Sequence, residues 1–231
     1  MSSADYMKRE EINYMESEIT LKSLGRWTLV CGVLSVLFYF LHDVIGARYY
    51  PGYEWTKQAV SDLTATDAPS FAVASGFVTV HKIFSCVCSA FLCVMVKSEH
   101  KVFRVGVYLY TLMNAISAIG YALFPLSGSG YDGSVQSFIH VYVLTALVVF
   151  LSIVSLILIT IGSFKGKNRL LGILSIAALL SMFFGAVGSF NMPKEIFGLI
   201  ERFSTYSAVI FTGVLGGYGF LLHKKGIKER V

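Results

Sequence analysis

Chemistry in this chain would fall to a small set of polar residues set among apolar ones. Ser61 and Asp62 stand in a polar stretch, and His81 and Lys82 sit side by side in an apolar run. His140 comes near the start of a second such run, and Glu201 and Arg202 near the start of a third. Two imidazoles and a carboxylate, His81, His140 and Asp62, could offer three ligands to zinc and leave a fourth position for an activated water. No HExxH or HxxxH spacing occurs, so a metal site would depend on tertiary convergence alone. Without a metal, His81 or His140 would act as general base, oriented by Asp62 or Glu201. Ser61 would then serve as oxyanion donor, and Lys82 or Arg202 would hold a phosphate or an oxyanion. Without any bond-breaking, the same cations and imidazoles would bind a lipid headgroup or pass protons along a pocket.

The elements that must position these residues are transmembrane helices. The chain has 231 residues, 55% of them hydrophobic and 14% charged, where a soluble domain carries roughly 25% charged residues. Its mean hydropathy is +0.67. Six apolar runs cover about 24–45, 71–96, 102–124, 137–162, 169–190 and 197–222, and about 20 residues suffice to cross ~30 Å of hydrocarbon. Runs this long and uninterrupted predict helices rather than barrel strands, which would alternate over about 10 residues. The fold class expected is therefore all-α, a polytopic membrane protein of six helices in the cell membrane.

Most of the 19 Lys and Arg fall before the first run, in KSEHK, in SFKGKNR and after the last run, which places both termini in the cytoplasm. Residues 1–23 are polar and lack the apolar core of a secretory signal. They are expected to be an amphipathic or loosely ordered cytoplasmic lead-in, residues 24–222 the membrane domain, and 223–231 a basic cytoplasmic tail. The net charge of +5 is accounted for by contact with anionic lipid headgroups, and nothing points to nucleic acid. Cys31, Cys86, Cys88 and Cys93 all fall in spans, where cysteine serves as a small buried apolar residue. Gly213 and Gly217 have the GxxxG spacing that lets helix backbones approach closely. It serves packing inside the bundle or a homo-oligomer.

The first outer loop, 46–70, is long enough to be functional, and its Tyr53 and Trp55 read as interfacial anchors or as a cover over a substrate. By depth, His42, Asp43, His81, Lys82, His140, Glu201 and Arg202 all belong to the outer half of their spans. One polar pocket near the outer surface, roofed by the first loop, follows from that convergence. Each residue singly has a plainer explanation: an interfacial histidine, a snorkelling lysine, a Glu–Arg pair between helices, or a helix cap at Ser61-Asp62.

Ser-Asp-Leu (61–63), His81, Leu-Phe-Pro (123–125), His140 and Gly-Leu-Ile-Glu-Arg (198–202) together resemble a widespread prokaryotic family of six-helix membrane proteins. That family carries only a domain-of-unknown-function label. The resemblance spans about 24–222 and implies the fold, the topology and a polar site of Asp62, His81, His140, Glu201 and Arg202. The segment SDLTATDAPS (61–70) is similar, more distantly, to the first extracytoplasmic loop of the Frag-type/DRAM membrane proteins. Thr64-Ala65 here replaces the Thr-Gly usual in that group, whose relatives act in lipid remodelling. The resulting expectation is a lipid-directed hydrolase or acyl-transfer enzyme with Asp62, His81 and His140 at its core. The alternative is a non-catalytic binder or transporter of a lipid or ion.

Overall fold

The computed structural model describes the backbone of residues 3–228 and the side chains of Thr20 and residues 22–222. Helix α1 runs Ser3–Arg48, α2 Phe71–Met95 and α3 Lys101–Leu123. Helix α4, Val135–Phe138, passes through a π-helical turn, Ile139–Leu144, into α5, Thr145–Lys165. Helices α6, Arg169–Asn191, and α7, Phe197–Lys228, complete the chain. Six of these stretches are long and apolar enough to cross a bilayer: Lys22–Arg48, Phe71–Ser98, Lys101–Leu123, Val135–Lys165, Arg169–Asn191 and Lys194–Leu222. The protein is an all-helical, multi-pass membrane protein, and the spans agree with the apolar runs to within a few residues. The lead-in before the first span is helical from Ser3 and continuous with it.

Consecutive spans pack against one another, α1 on α2, α2 on α3, α3 on α5, α5 on α6 and α6 on α7, and α7 closes the ring by returning to α1. Short cytoplasm-type connections at 96–100 and 166–168 leave antiparallel neighbours no other choice. With six passes both termini lie at one end of the bundle, here the terminal end, and the long connections lie at the other, the loop end. The terminal half is filled by a continuous apolar core that includes Leu92, Phe103, Val107, Leu156, Phe211 and Leu215.

Close approach is bought by glycine where two backbones meet. A Cβ on Gly162 would stand 2.4 Å from the backbone nitrogen of Phe103, so α5 rests directly on α3 there. Gly213 meets Val36 of α1 and Gly217 meets open space, while the tightest approach of α7 to α1 runs through Gly32 and Gly216.

This geometry gives a paired test in thermal unfolding. Gly162→Ala should destabilise by about 1–3 kcal/mol, because the clash is with backbone and the helices must part. Gly76→Ala, where nothing lies within 4 Å, should be neutral or stabilising by about 0.5–1 kcal/mol through helix propensity. Equal effects at the two sites would refute the packing described.

Candidate functional site

One turn into α7, Arg202 is 1% exposed and every donor of its guanidinium is used. Nε and Nη2 fork onto the Asp43 carboxylate of α1, at 2.8 Å each. Nη1 donates to the carbonyls of Trp55 (2.8 Å), Gln58 (3.0 Å) and Gly198 (2.8 Å). Nη2 also donates to the Tyr53 hydroxyl at 2.8 Å, and the Trp55 ring covers the cation at 4.2 Å. The Asp43 carboxylate in turn accepts from the Trp55 indole at 3.1 Å and from the Tyr206 hydroxyl. A planar fork with five donors is the side chain suited to such a junction. It clips the first loop onto α1 and α7 at once.

The neighbouring contacts extend that clip. The Val60 amide donates to Glu201 Oε2 at 3.1 Å, and the Leu199 amide to the Thr56 carbonyl at 3.0 Å. Farther along, Asp62 is 3% exposed and accepts from Ser129 Oγ at 2.6 Å and from the Gly130 amide at 3.2 Å. Amides of Thr66 and Asp67 donate to the carbonyls of Leu126 and Ser127. Asp62 thus fastens the second loop to the first. Burial raises its pKa above the ordinary 3.8, partly offset by the hydrogen bonds from Ser129 and Gly130 and by the Arg202 charge.

A second group of polar side chains lies between the helices beneath this cover. His81 donates Nδ1–H to the Ser35 carbonyl at 2.9 Å, and His140 donates Nδ1–H to the Phe124 carbonyl at 2.7 Å. A carbonyl can only accept, so each ring carries its proton on Nδ1 and its Nε2 is free to accept when the ring is neutral. The π-helical turn places His140, whose own carbonyl accepts from both the amide and the hydroxyl of Thr145. Lys82 is half-buried; its carbonyl accepts from Ser85 Oγ at 3.0 Å, and its ammonium forms no ion pair among the described residues. His42 is 2% exposed, and both of its ring nitrogens are buried without a partner. Tyr39 joins the set, its ring 5.4 Å from His42 and 4.8 Å from His81. The Tyr121 ring lies tilted against His140, with centroids 4.6 Å apart.

The single pocket expected from sequence is therefore two arrangements. Arg202, Tyr53 and Trp55, expected to hold substrate, are spent on the clip and on each other. Asp62 points to the second loop instead of orienting a histidine. Ser61 is half-buried, and its hydroxyl makes no hydrogen bond among the described residues. The zinc set His81, His140 and Asp62 is not assembled: among the described residues no three His, Cys, Asp or Glu side chains come together as ligands. Lys82, His81, His140 and Glu201 do share the interior. Asp43, Tyr206, Tyr39 and His42 complete the two arrangements; depth had placed His42 and Asp43 in the outer pocket without giving them a role, and Tyr39 and Tyr206 were not expected.

Comparison with known families finds a match over residues 33–218 to the model described as Protein of unknown function (DUF998). No curated protein and no solved structure matches the chain. The family match agrees with the likeness to a six-helix family of unknown function, and nothing in these comparisons supports the likeness to Frag-type/DRAM proteins.

Two outcomes follow from the clip. Arg202→Met or Asp43→Leu should each cost about 3–5 kcal/mol, since either leaves a buried charge alone, and the double variant should cost less than the sum. Trypsin should then cut at exposed Lys57 in the single variants and spare it in the parent; strict additivity with an uncut loop would refute the clip. At Asp62 the raised pKa means that the folded state favours the protonated carboxyl. Its contribution to stability is full below 3.8 and is lost as pH rises through the higher folded value. The stability of the parent relative to Asp62→Asn should therefore fall as pH climbs through that window, and a rise would contradict the assignment.

Proposed function

Since the chain belongs to the DUF998 family of proteins of unknown function, whose description names no chemistry, we propose from its own geometry that it binds a membrane lipid. The lipid enters from the leaflet at the loop end, and its headgroup is held between the helices without crossing. The observation that carries this reading is the one-sided distribution of unspent polar groups. Lys82, His42, the Oε1 of Glu201, whose Oε2 is taken by the Val60 amide, and the free Nε2 atoms of His81 and His140 all lie in the loop-end half.

The terminal half offers no continuous polar path. Several of its hydroxyls are spent on helix carbonyls, Ser89 on Ser85, Thr111 on Val107, Ser155 on Ser152 and Ser175 on Leu171, and the buried atoms without a partner there among the described residues, Ser163 Oγ and Arg104 Nε, are isolated. The space between them is the apolar core. A transporter needs a polar path to both faces, so binding is favoured over transport. Support for a lipid rather than a soluble solute comes from a groove of about 430 Å³ between α6 and α7. Trp55 and Arg202 of the clip stand at its loop end, and Leu174, Ala178, Phe203 and Ile210 line much of the rest, a profile that suits an acyl chain; Lys82, His42, His81, His140 and Glu201 are not part of its lining. The Lys and Arg of the connections at 97–104 and 165–169 lie at the terminal end, which supports reading the loop end as the extracytoplasmic one.

A second reading, hydrolysis or acyl transfer, is favoured by one specific feature: His81 and His140 both present a free Nε2, the state of a general base. Native mass spectrometry of protein taken from membranes tests the first reading, with a retained lipid mass expected and only the bare chain overturning it. Conversion of an isotope-labelled lipid that is lost in His81→Gln and His140→Gln, with lipid still retained, would replace binding by catalysis.

A further inference from the structure

We infer that the groove along α6 and α7 holds one straight, saturated hydrocarbon chain of about 16–18 carbons, with the polar end of that lipid beside Trp55. This rests on the lipid-binding reading and names the chain that the lipid carries. The groove is made by residue size. Its α6 wall is Leu174, Ala177, Ala178 and Ser181, one helix face at i, i+3, i+4 and i+7, and three of the four are small. The α7 wall is a stripe at 199, 203, 206, 210 and 214, which keeps to one side of the helix and so runs straight. The two helices do not part there: Ser207 donates to the Ala178 carbonyl at 2.6 Å and Ser181 to the Phe203 carbonyl at 2.8 Å. Exposed Leu174, Phe203 and Ile210 leave the open side to the bilayer.

Dimensions name the occupant. Leu199 and Val214 are fifteen residues apart, about 22 Å along a helix. A volume of about 430 Å³ over that length leaves a mean section of about 20 Å², a channel roughly 5 Å wide. One hydrocarbon chain at van der Waals contact has that width, whereas another transmembrane helix, about 10–12 Å across, does not fit. An extended carbon chain advances about 1.2 Å per bond, as an extended peptide backbone does, so filling the groove takes about 18 carbons. That length also exceeds the ~15 Å of hydrocarbon in one leaflet. A shorter chain, or one bent by a cis double bond, would leave Ile210 and Val214 uncovered.

The polar side chains of the lining are all committed. Arg202, the Tyr206 hydroxyl and the Trp55 indole bond to Asp43, and the two serines bond to helix carbonyls. A hydroxyl or charge carried along the chain would lose its water without gaining a partner. Tryptophan at a membrane boundary sits at headgroup depth, so the ester end lies at Trp55 and the methyl end at Val214.

The test offers detergent-stripped protein equal parts of dilauroyl, distearoyl and dioleoyl phosphatidylglycerol in mixed micelles, and identifies retained lipid by native mass spectrometry and extraction. One headgroup throughout isolates the chain. The parent should retain the distearoyl lipid over each of the others by about three- to tenfold, the scale of packing differences within a membrane. Ala177→Phe, which fills the groove from an exposed position, should abolish that preference, and the smaller Ala177→Leu should reduce it. Ile173→Phe, on the same helix but outside the lining, should leave it intact. Retention without discrimination, a preference for either other lipid, or a preference that survives Ala177→Phe overturns this inference and leaves lipid binding standing. So does a dimer that Ala177→Phe dissociates, which would give the groove to a second copy. Retention of none of the three also overturns it, and if no lipid is retained from membranes either, the binding reading falls as well.

Discussion

The ion pair of Arg202 with Asp43 is the contact on which the loop end depends. Taking two charges out of water is expensive, and their attraction returns that cost only when geometry is good and the other donors are satisfied. Here the guanidinium has partners at every nitrogen, three of them carbonyls of the first loop and of the first turn of α7. The carboxylate has three donors of its own. A loop of irregular backbone over a membrane protein must find partners for its peptide groups, and the arginine supplies several of them from one side chain. Helices α1 and α7, whose residues 43 and 202 are far apart in the chain, are held in register by the same atoms.

That commitment divides the polar residues of the loop-end half. Those in the clip are fully paired and have nothing left for a ligand. Those beneath it have unspent capacity, and they come from four different elements: His42 from α1, Lys82 from α2, His140 from the π-helical turn and Glu201 from α7. Position along the membrane normal is alike for both groups, so depth alone could not separate them. What separates them is which neighbours each side chain reaches.

Legibility from sequence follows that line. Spans of twenty and more apolar residues are a property of single segments, and the six helices were readable to within a few residues. Clustering in one half was readable too, because depth follows from distance to a span's end. Pairing was not. Asp43 and Arg202 are brought together by the α1–α7 contact, which no local pattern announces, and so Arg202 was expected to hold substrate. Asp62 was grouped with the histidines because all lie on the outer side, yet its partners are Ser129 and Gly130 on another loop. The π-helical turn at His140 leaves no mark in the apolar pattern around it.

The two polar groups also differ in what they contribute to folding. Replacing a buried ion pair by well-packed apolar residues is often neutral or stabilising, but this pair has a second role, since its donors complete the backbone of a loop. The His42 ring meets Tyr39 edge-on but its nitrogens have no partner among the described residues, and the Lys82 ammonium forms no ion pair among them. A lysine without an anion and a histidine without a partner both lower stability relative to methionine and leucine of similar size. The fold gains nothing from them as they stand.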